Sequence, residues 1–206
     1  AAIKALRRAE RAVGAARRAA AGPLAARVTE QVRRLAMPRA ELEVHIDADD
    51  PAGEAVAFLF AANPGLGAAP LAKVASGGEL ARVMLALRLV LTAAPDTLVF
   101  DEVDAGIGGA AALAVAESLA ELGRRHQVLV VTHLAQVAAA ADHHVTVSKV
   151  VTADSTETEV RVIEGDDRVE EIARMLSGDP DSASARAHAA ELLTTGDRRP
   201  QRPRRR

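Results

Sequence analysis

Three short stretches of this sequence bring together groups that could act on one ligand. Ser76-Gly77-Gly78-Glu79 sets a glycine pair directly before a run with helical apolar spacing. Glycines let backbone N–H groups approach a ligand with no Cβ in the way, and a helix start adds unpaired donors and partial positive charge. The segment reads as an anion site with the Ser76 hydroxyl as a further donor, or more plainly as a Ser N-cap beside a flexible pair. Asp101 and Glu102 follow the apolar run Leu98-Val99-Phe100. Ligands of open α/β sheets bind at the carboxyl ends of strands. There one carboxylate can hold Mg²⁺, a hard cation that prefers oxygen. The next, pointing to the other side, can orient or deprotonate a water. The plain alternative is a solvated strand end before the turn Asp104-Ala105-Gly106. His133 closes a third stretch, Val128-Leu129-Val130-Val131-Thr132-His133. An imidazole there can donate to a phosphate oxygen or hold an attacking water. A lone His is more often only a half-exposed polar residue, but this one shares its rim with both carboxylates.

The elements that must position these groups follow from periodicity. Leu80, Val83, Met84, Leu87, Val90 and Leu91 mark one face of a helix closed by Pro95. Leu98-Val99-Phe100 and Val128 to Val131 are short and continuously apolar, as strands buried on both faces of a parallel sheet are. Helices are expected over about 109–122 and 134–141, and this βαβ succession implies an α/β domain with helices over a largely parallel sheet. Upstream, Leu42, Val44 and Ile46 alternate with polar residues as in a half-buried strand, and 49–53 is a turn cluster before a strand over 55–60. Asn63 to Pro70 reads as a loop. Downstream, Val145, Val147, Val160 and Val162 suggest a closing hairpin whose loop spans Val150 to Glu159. Two helices over about 169–176 and 182–193 follow. Residues 1–36 are rich in Ala and Arg, and Gly22-Pro23 should split them into two helices. Their thin apolar stripe suits an arm packed on something else.

Composition narrows the chemistry. The 206 residues are 49% hydrophobic and 26% charged, a globular balance, with a net charge of −2. That near-neutrality hides a division: nine Lys/Arg against two acids in 1–36, six Arg against Asp197 in 197–206, and an acidic body between. Three Phe and no Trp or Tyr exclude a base-stacking surface. The absence of Cys excludes disulfides, iron–sulfur clusters and thiolate zinc sites. No apolar run approaches the ~20 residues of a membrane span, and no signal-peptide pattern is present. The chain reads as cytoplasmic, and its start at Ala1 suggests a piece of a longer protein. His143-His144 is a poor metal pair, since neighbours in a strand point to opposite faces.

The order of the motifs says more than any one of them. A Gly-Gly helix start, a strand ending Asp-Glu and a strand ending His resemble the C-terminal half of an ABC-type ATPase head. The wording of Lys73–Arg82, Val99–Gly109 and Val130–Ala138 resembles the RecN family of SMC-like DNA repair ATPases, as do Ala61–Gly65 and Glu171–Gly178. Ala81 and Thr97 depart slightly from that pattern. The resemblance implies that residues 37–195 are the C-terminal lobe of an ABC-type head, with 1–36 the returning end of a coiled-coil arm. Residues 196–206 fall outside it and are expected to be a disordered, Arg-rich tail. It implies two heads sandwiching ATP, a nucleoid-associated place in the cell, and action on DNA ends or single strands in double-strand-break repair. Ser76, Gly77, Gly78 and Glu79 would be the signature motif facing the partner's nucleotide, and Asp104 the centre of the D-loop. Asp101 would support Mg²⁺, Glu102 would activate water and His133 would sense the γ-phosphate.

One part of an ATP site is missing. A phosphate loop needs Gly-x-x-x-x-Gly-Lys-Ser/Thr, and Lys4, Lys73 and Lys149 are preceded by Ile3, Ala72 and Ser148. The chain should therefore hold half a site and lack turnover alone, an N-terminal half supplying the rest. Two other readings stay open: a head fragment of another SMC-like, chromosome-organising ATPase, and a non-catalytic interaction module. Both basic ends suit salt-sensitive DNA contact, though a solvated helix face explains the first of them equally well.

Overall fold

The computed structural model describes residues 1–63, 65, 67–73, 76–91, 95–151 and 155–197. Pro64, Val74, Ala75 and all but the first two residues of the expected disordered tail lie outside them. Ala, Arg and Leu are strong helix formers, and the basic leading block forms one helix, α1 (Ala2–Arg34), with Pro23 inside it. The expected break at Gly22-Pro23 does not occur. Proline removes one ladder hydrogen bond and crowds the Cβ of the residue before it, but here that residue is glycine and has none. Tertiary contacts hold the turns beyond: Val28, Val32 and Leu35 are fully buried. Thr29 Oγ1 accepts from the Leu42 N–H at 3.0 Å and stands 3.5 Å from the Leu42 carbonyl. Ala36 follows at φ 64°, the left-handed region that usually takes glycine after a helix.

β1 (Glu41–Ile46) and β2 (Val56–Ala61) form the antiparallel hairpin that the alternation predicts. Asp50 closes its turn by accepting the N–H groups of Ala55, Glu54 and Ala52, and these bonds hold its carboxyl below the ordinary value. The turn sits on α1 at Gly14, where a Cβ would collide with the Pro51 carbonyl oxygen. Arg17 and Arg18 donate to the carbonyls of Ala52 and Asp50 beside it. In the stretch expected as loop, β3 (Ala69–Pro70) adds a short edge to β2, followed by a 3-10 turn over Leu71–Lys73.

α2 (Gly77–Val90) leads to β4 (Thr97–Phe100), α3 (Gly109–Gly123) and β5 (Gln127–Val130), and β4 pairs β5 in parallel. The inner face of α2 runs through Gly78, Arg82, Val83, Leu85, Ala86, Leu87 and Val90, whereas Leu80, Met84 and Leu91 of the predicted stripe stay over a third exposed. β4 and β5 were expected to be buried on both faces and are covered on one. Leu98 and Phe100 are buried, while Val99, Leu129 and Val131 are at least half exposed. The covered side joins α1, α2, α3 and the first hairpin in one core, in which each fully buried Val or Leu contributes about 1.5–3 kcal/mol.

α4 (Ala135–Ala139), β6 (His144–Val151), β7 (Thr156–Ile163), α5 (Gly165–Ser177) and α6 (Ala183–Asp197) complete the chain. The second hairpin is longer than expected. Val150 pairs with Glu157 and Val151 with Thr156, inside the stretch read as its loop, because β-branched Val and Thr extend the ladder. α4, α5 and α6 share a smaller, alanine-rich core around Ile172, Ala173 and Ala189. Arg168 donates to the Ala138, Ala139 and Ala141 carbonyls at the end of α4. The described residues are mixed α/β, with a parallel pair and two antiparallel sheets, β1-β2-β3 and β6-β7. Among the described residues no helix is long and apolar enough to cross a membrane.

Candidate functional site

α2 starts where the sequence places an anion site. Ser76 is its N-cap, and its Oγ accepts from the Glu79 N–H at 3.3 Å while its carbonyl accepts from Leu80 at 3.1 Å. The plain capping role is therefore real, and it leaves the Ser76 O–H free to donate elsewhere. Gly77 and Gly78, as the first helical residues, have N–H groups without an intrahelical acceptor. The two glycines differ. Gly77 is exposed, and a Cβ on it would lie 2.8 Å from Glu102 Oε2. Gly78 is buried, and a Cβ on it would lie 2.8 Å from the Ala105 carbonyl oxygen. Close approach at Gly78 thus serves the chain's own loop, while Gly77 faces the opening.

That loop follows β4. The expected strand alternation of Asp101 and Glu102 fails, because β4 ends at Phe100 and Glu102 adopts a left-handed backbone with φ 57°. Such a conformation costs a non-glycine residue about 1–2 kcal/mol, and here it turns the exposed Glu102 toward the start of α2. A carboxylate at a helix N-terminus is favoured by the helix dipole. Asp101 is exposed beside it. Two residues beyond Glu102, Asp104 is 1% exposed. Its Oδ2 accepts from Thr132 Oγ1 and, at 3.2 Å, from the His133 N–H.

The third group sits just past β5. Val131 N–H donates to the Phe100 carbonyl at 3.0 Å, which sets Thr132 and His133 beside the loop after β4. His133 Nδ1 lies 3.4 Å from Asp104 Oδ2, and the imidazole is 70% exposed. A proton on Nδ1 toward Asp104 leaves Nε2 open to a ligand. Asp104 points inward, where its carboxylate meets the Thr132 hydroxyl and both the backbone and the imidazole of His133. The anion-ready helix start, the exposed carboxylates and the imidazole share one end of the β4–β5 pair.

Arg82 and Thr132 enter this arrangement without having been singled out by type or spacing. Arg82 is 5% exposed, and its Nη1 donates to the Ala105 carbonyl at 2.9 Å. Burial pushes its guanidinium below the ordinary value, against the pull of Glu79. The available signal was a charge at 78, 82 and 85/86 helical spacing, where the other residues are small or apolar. Elsewhere, a cleft between β6–β7 and α5 has its charges paired, Arg161 with Asp167, Arg174 with Glu171 and Glu170 with Arg186 of α6. His143 is exposed and precedes β6, whereas His144, the first residue of the strand, is half-buried. Among the described residues no group of three or more His, Asp or Glu is placed to hold a metal ion.

Comparison with known proteins gives the same direction. No protein-family model matches the chain. The DNA repair protein RecN of Deinococcus radiodurans is 53% identical over 186 residues, covering 88% of this chain and 33% of that protein. The DNA repair protein RecN of Streptomyces coelicolor is 47% identical over 198 residues, covering 87% of this chain and 35% of that one. The chain thus spans about a third of the length of the curated relatives it matches. Among solved structures, the Smc head domain with a coiled coil and joint from Pyrococcus yayanosii aligns with TM-score 0.53 at 20% identity, over 85% of this chain and 29% of that one. The Smc head domain with an extended coiled coil from Pyrococcus furiosus aligns with TM-score 0.50 at 20% identity, over 75% and 37%. These two share the fold. By the sequence identity sustained along most of its length, the chain matches the C-terminal portion of the DNA repair protein RecN.

Proposed function

We propose that residues 37–195 are the C-terminal lobe of an SMC-like ATPase head acting in DNA double-strand-break repair, with residues 1–36 the returning end of its coiled-coil arm. The reading rests on one observation: the α2 start, Asp101–Glu102 and His133 lie at one end of the β4–β5 pair, joined through Asp104 and Ala105. Each of these groups suits one task in phosphoryl transfer to water. The free N–H of Gly77 and the Ser76 hydroxyl are donors for phosphate oxygens of a nucleotide held on a second head. Glu102 accepts a proton from the attacking water on its carboxylate. His133 Nε2 meets the γ-phosphate. Asp101 offers one hard oxygen, which fits Mg²⁺, an ion usually bound through one or two carboxylates plus phosphates and waters. Bound there, the ion neutralises charge developing on the phosphates. The chain has no Gly-x-x-x-x-Gly-Lys loop, so the phosphate cradle comes from an N-terminal half and two heads assemble as a homodimer around ATP. Lys4, Arg7, Arg8 and Arg11 are exposed on α1 and suit contact with DNA phosphates.

The test compares the isolated chain with the assembled head. The chain alone is expected to show no ATP hydrolysis, and a head completed with an N-terminal half is expected to hydrolyse it. Glu102→Gln should lower that turnover about 10²- to 10⁴-fold while nucleotide still binds. Turnover unaffected by Glu102→Gln would remove Glu102 from the reaction, and with it this reading.

A further inference from the structure

We infer that Arg82 is a positioning residue that sets the geometry of His133 from the far side of the loop after β4. This deepens the reading above and rests on it for its catalytic consequence. The observation is a charged side chain that is buried where the apolar face of α2 should continue. Arg82 lies one turn inside α2, between Gly78 and Ala86 on the buried side of the helix. Nη1 donates to the Ala105 carbonyl at 2.9 Å, and Nε is buried with no partner among the described residues. A buried guanidinium with an unpaired donor is costly, and an apolar side chain would fill the same helix face without that penalty. What Arg82 gains in return is a fixed Ala105.

The connection runs through adjacent peptide groups. Gly78 lets α2 approach until a Cβ on it would stand 2.9 Å from Ala105 Cβ and 3.3 Å from Arg82 Nη1. Ala105 is therefore seated on the first turn of α2 by steric contact and by a charge-assisted hydrogen bond. Asp104, the residue before it, reaches the other way and accepts from Thr132 and from the His133 backbone. Thr132 Oγ1 in turn accepts from the Leu134 N–H at 3.0 Å, at the start of α4. The helix start that offers N–H groups to phosphate and the histidine that meets phosphate are thus tied by one short relay, and Arg82 anchors its α2 end. The hydrogen bond of Arg82 goes to Ala105, so its effect on His133 runs through Ala105 and Asp104.

Two measurements test this. In the 206-residue chain, amide hydrogen exchange at His133 is expected to quicken about tenfold in Arg82→Met, while the amides of Thr29 to Val32 in α1 keep their protection. Arg82→Lys keeps the charge and a donor but loses the planar fork, and is expected to show the same selective loss in smaller measure. Should Arg82→Met fail to fold, the lysine variant decides. Unchanged exchange at His133, or an equal quickening at every amide, overturns the proposal, the second by making Arg82 a stability residue alone. In the assembled head, Arg82→Met is expected to lower kcat about tenfold with KM for ATP within about twofold. A raised KM with unchanged kcat overturns it. A wild-type head without ATP hydrolysis would sink the proposed function and leave the exchange result standing.

Discussion

The loop from Asp101 to Gly106 and the hairpin β6–β7 hold their shape by opposite means. The loop has no regular secondary structure, yet its middle is fastened from two directions, by Arg82 on α2 and by Thr132 and His133 past β5. The hairpin is a regular ladder of eight residue pairs, yet its Val145, Val147, Val160 and Val162 are between 50% and 69% exposed. Those valines pair across the strands, Val145 with Val162 and Val147 with Val160, and cover one another rather than a core. Regularity and tertiary anchoring are therefore separate properties. The irregular segment is the one fastened to the rest of the fold, through Asp104 and Ala105, with the exposed Asp101 and Glu102 just before the fastened pair.

The sharpest way to break this contrast is at Asp104. Asp104→Ala leaves the Thr132 hydroxyl and the His133 N–H without their acceptor and should cost about 2–3 kcal/mol in denaturant unfolding of the chain. Asp101→Asn, at the exposed end of the same loop, should stay within about 0.5 kcal/mol of wild type. Equal costs for the two would mean that the loop is not held from inside. At the start of the hairpin, His144 has a buried Nδ1 with no hydrogen-bond partner among the described residues. Burial, with help from Arg168 and against Glu171, keeps its pKa below the ordinary 6.5. The folded state therefore resists a proton that the unfolded chain accepts, so stability is complete above about pH 6.5 and falls as pH drops below it. Thermal unfolding at pH 7.5 and 5.5 should show that loss, and His144→Leu should reduce it. The smallest effect belongs to the bare face: Val147→Thr or Val160→Thr should shift stability of the chain by less than about 0.5 kcal/mol. A larger cost would show that something covers those valines.

Much of the fold was legible because its signals are local. The period of two in Leu42, Val44 and Ile46 became β1, and the Ser-Gly-Gly start with its following apolar residues became α2. Failures came where a neighbour decides. Pro23 stays inside α1 because the residue before it is glycine and because Val28, Val32 and Leu35 are held by β1 and α2. Val99, Leu129 and Val131 are as apolar as Leu98 and Phe100, but burial depends on what lies above the sheet, which the strand itself does not encode. The same holds in the site. The residue types of Ser76, Gly77, Asp101, Glu102 and His133 suggested a phosphate site, whereas the inward turn of Asp104 had no local signature and Arg82 showed only as a charge at a helical spacing otherwise small or apolar.

The sequence by itself determined the repertoire: two glycines at a helix start, an acidic pair after one apolar strand and an imidazole after another, in that order along the chain. Periodicity and turn chemistry act over a few residues, so they can be read from the chain. Only the tertiary structure decided that Gly78 packs on Ala105, that Glu102 takes a left-handed backbone, and that Asp104 holds Thr132 and His133. Those choices are made between residues more than twenty positions apart, where close packing and the need to pair buried polar groups select one arrangement that no local pattern specifies.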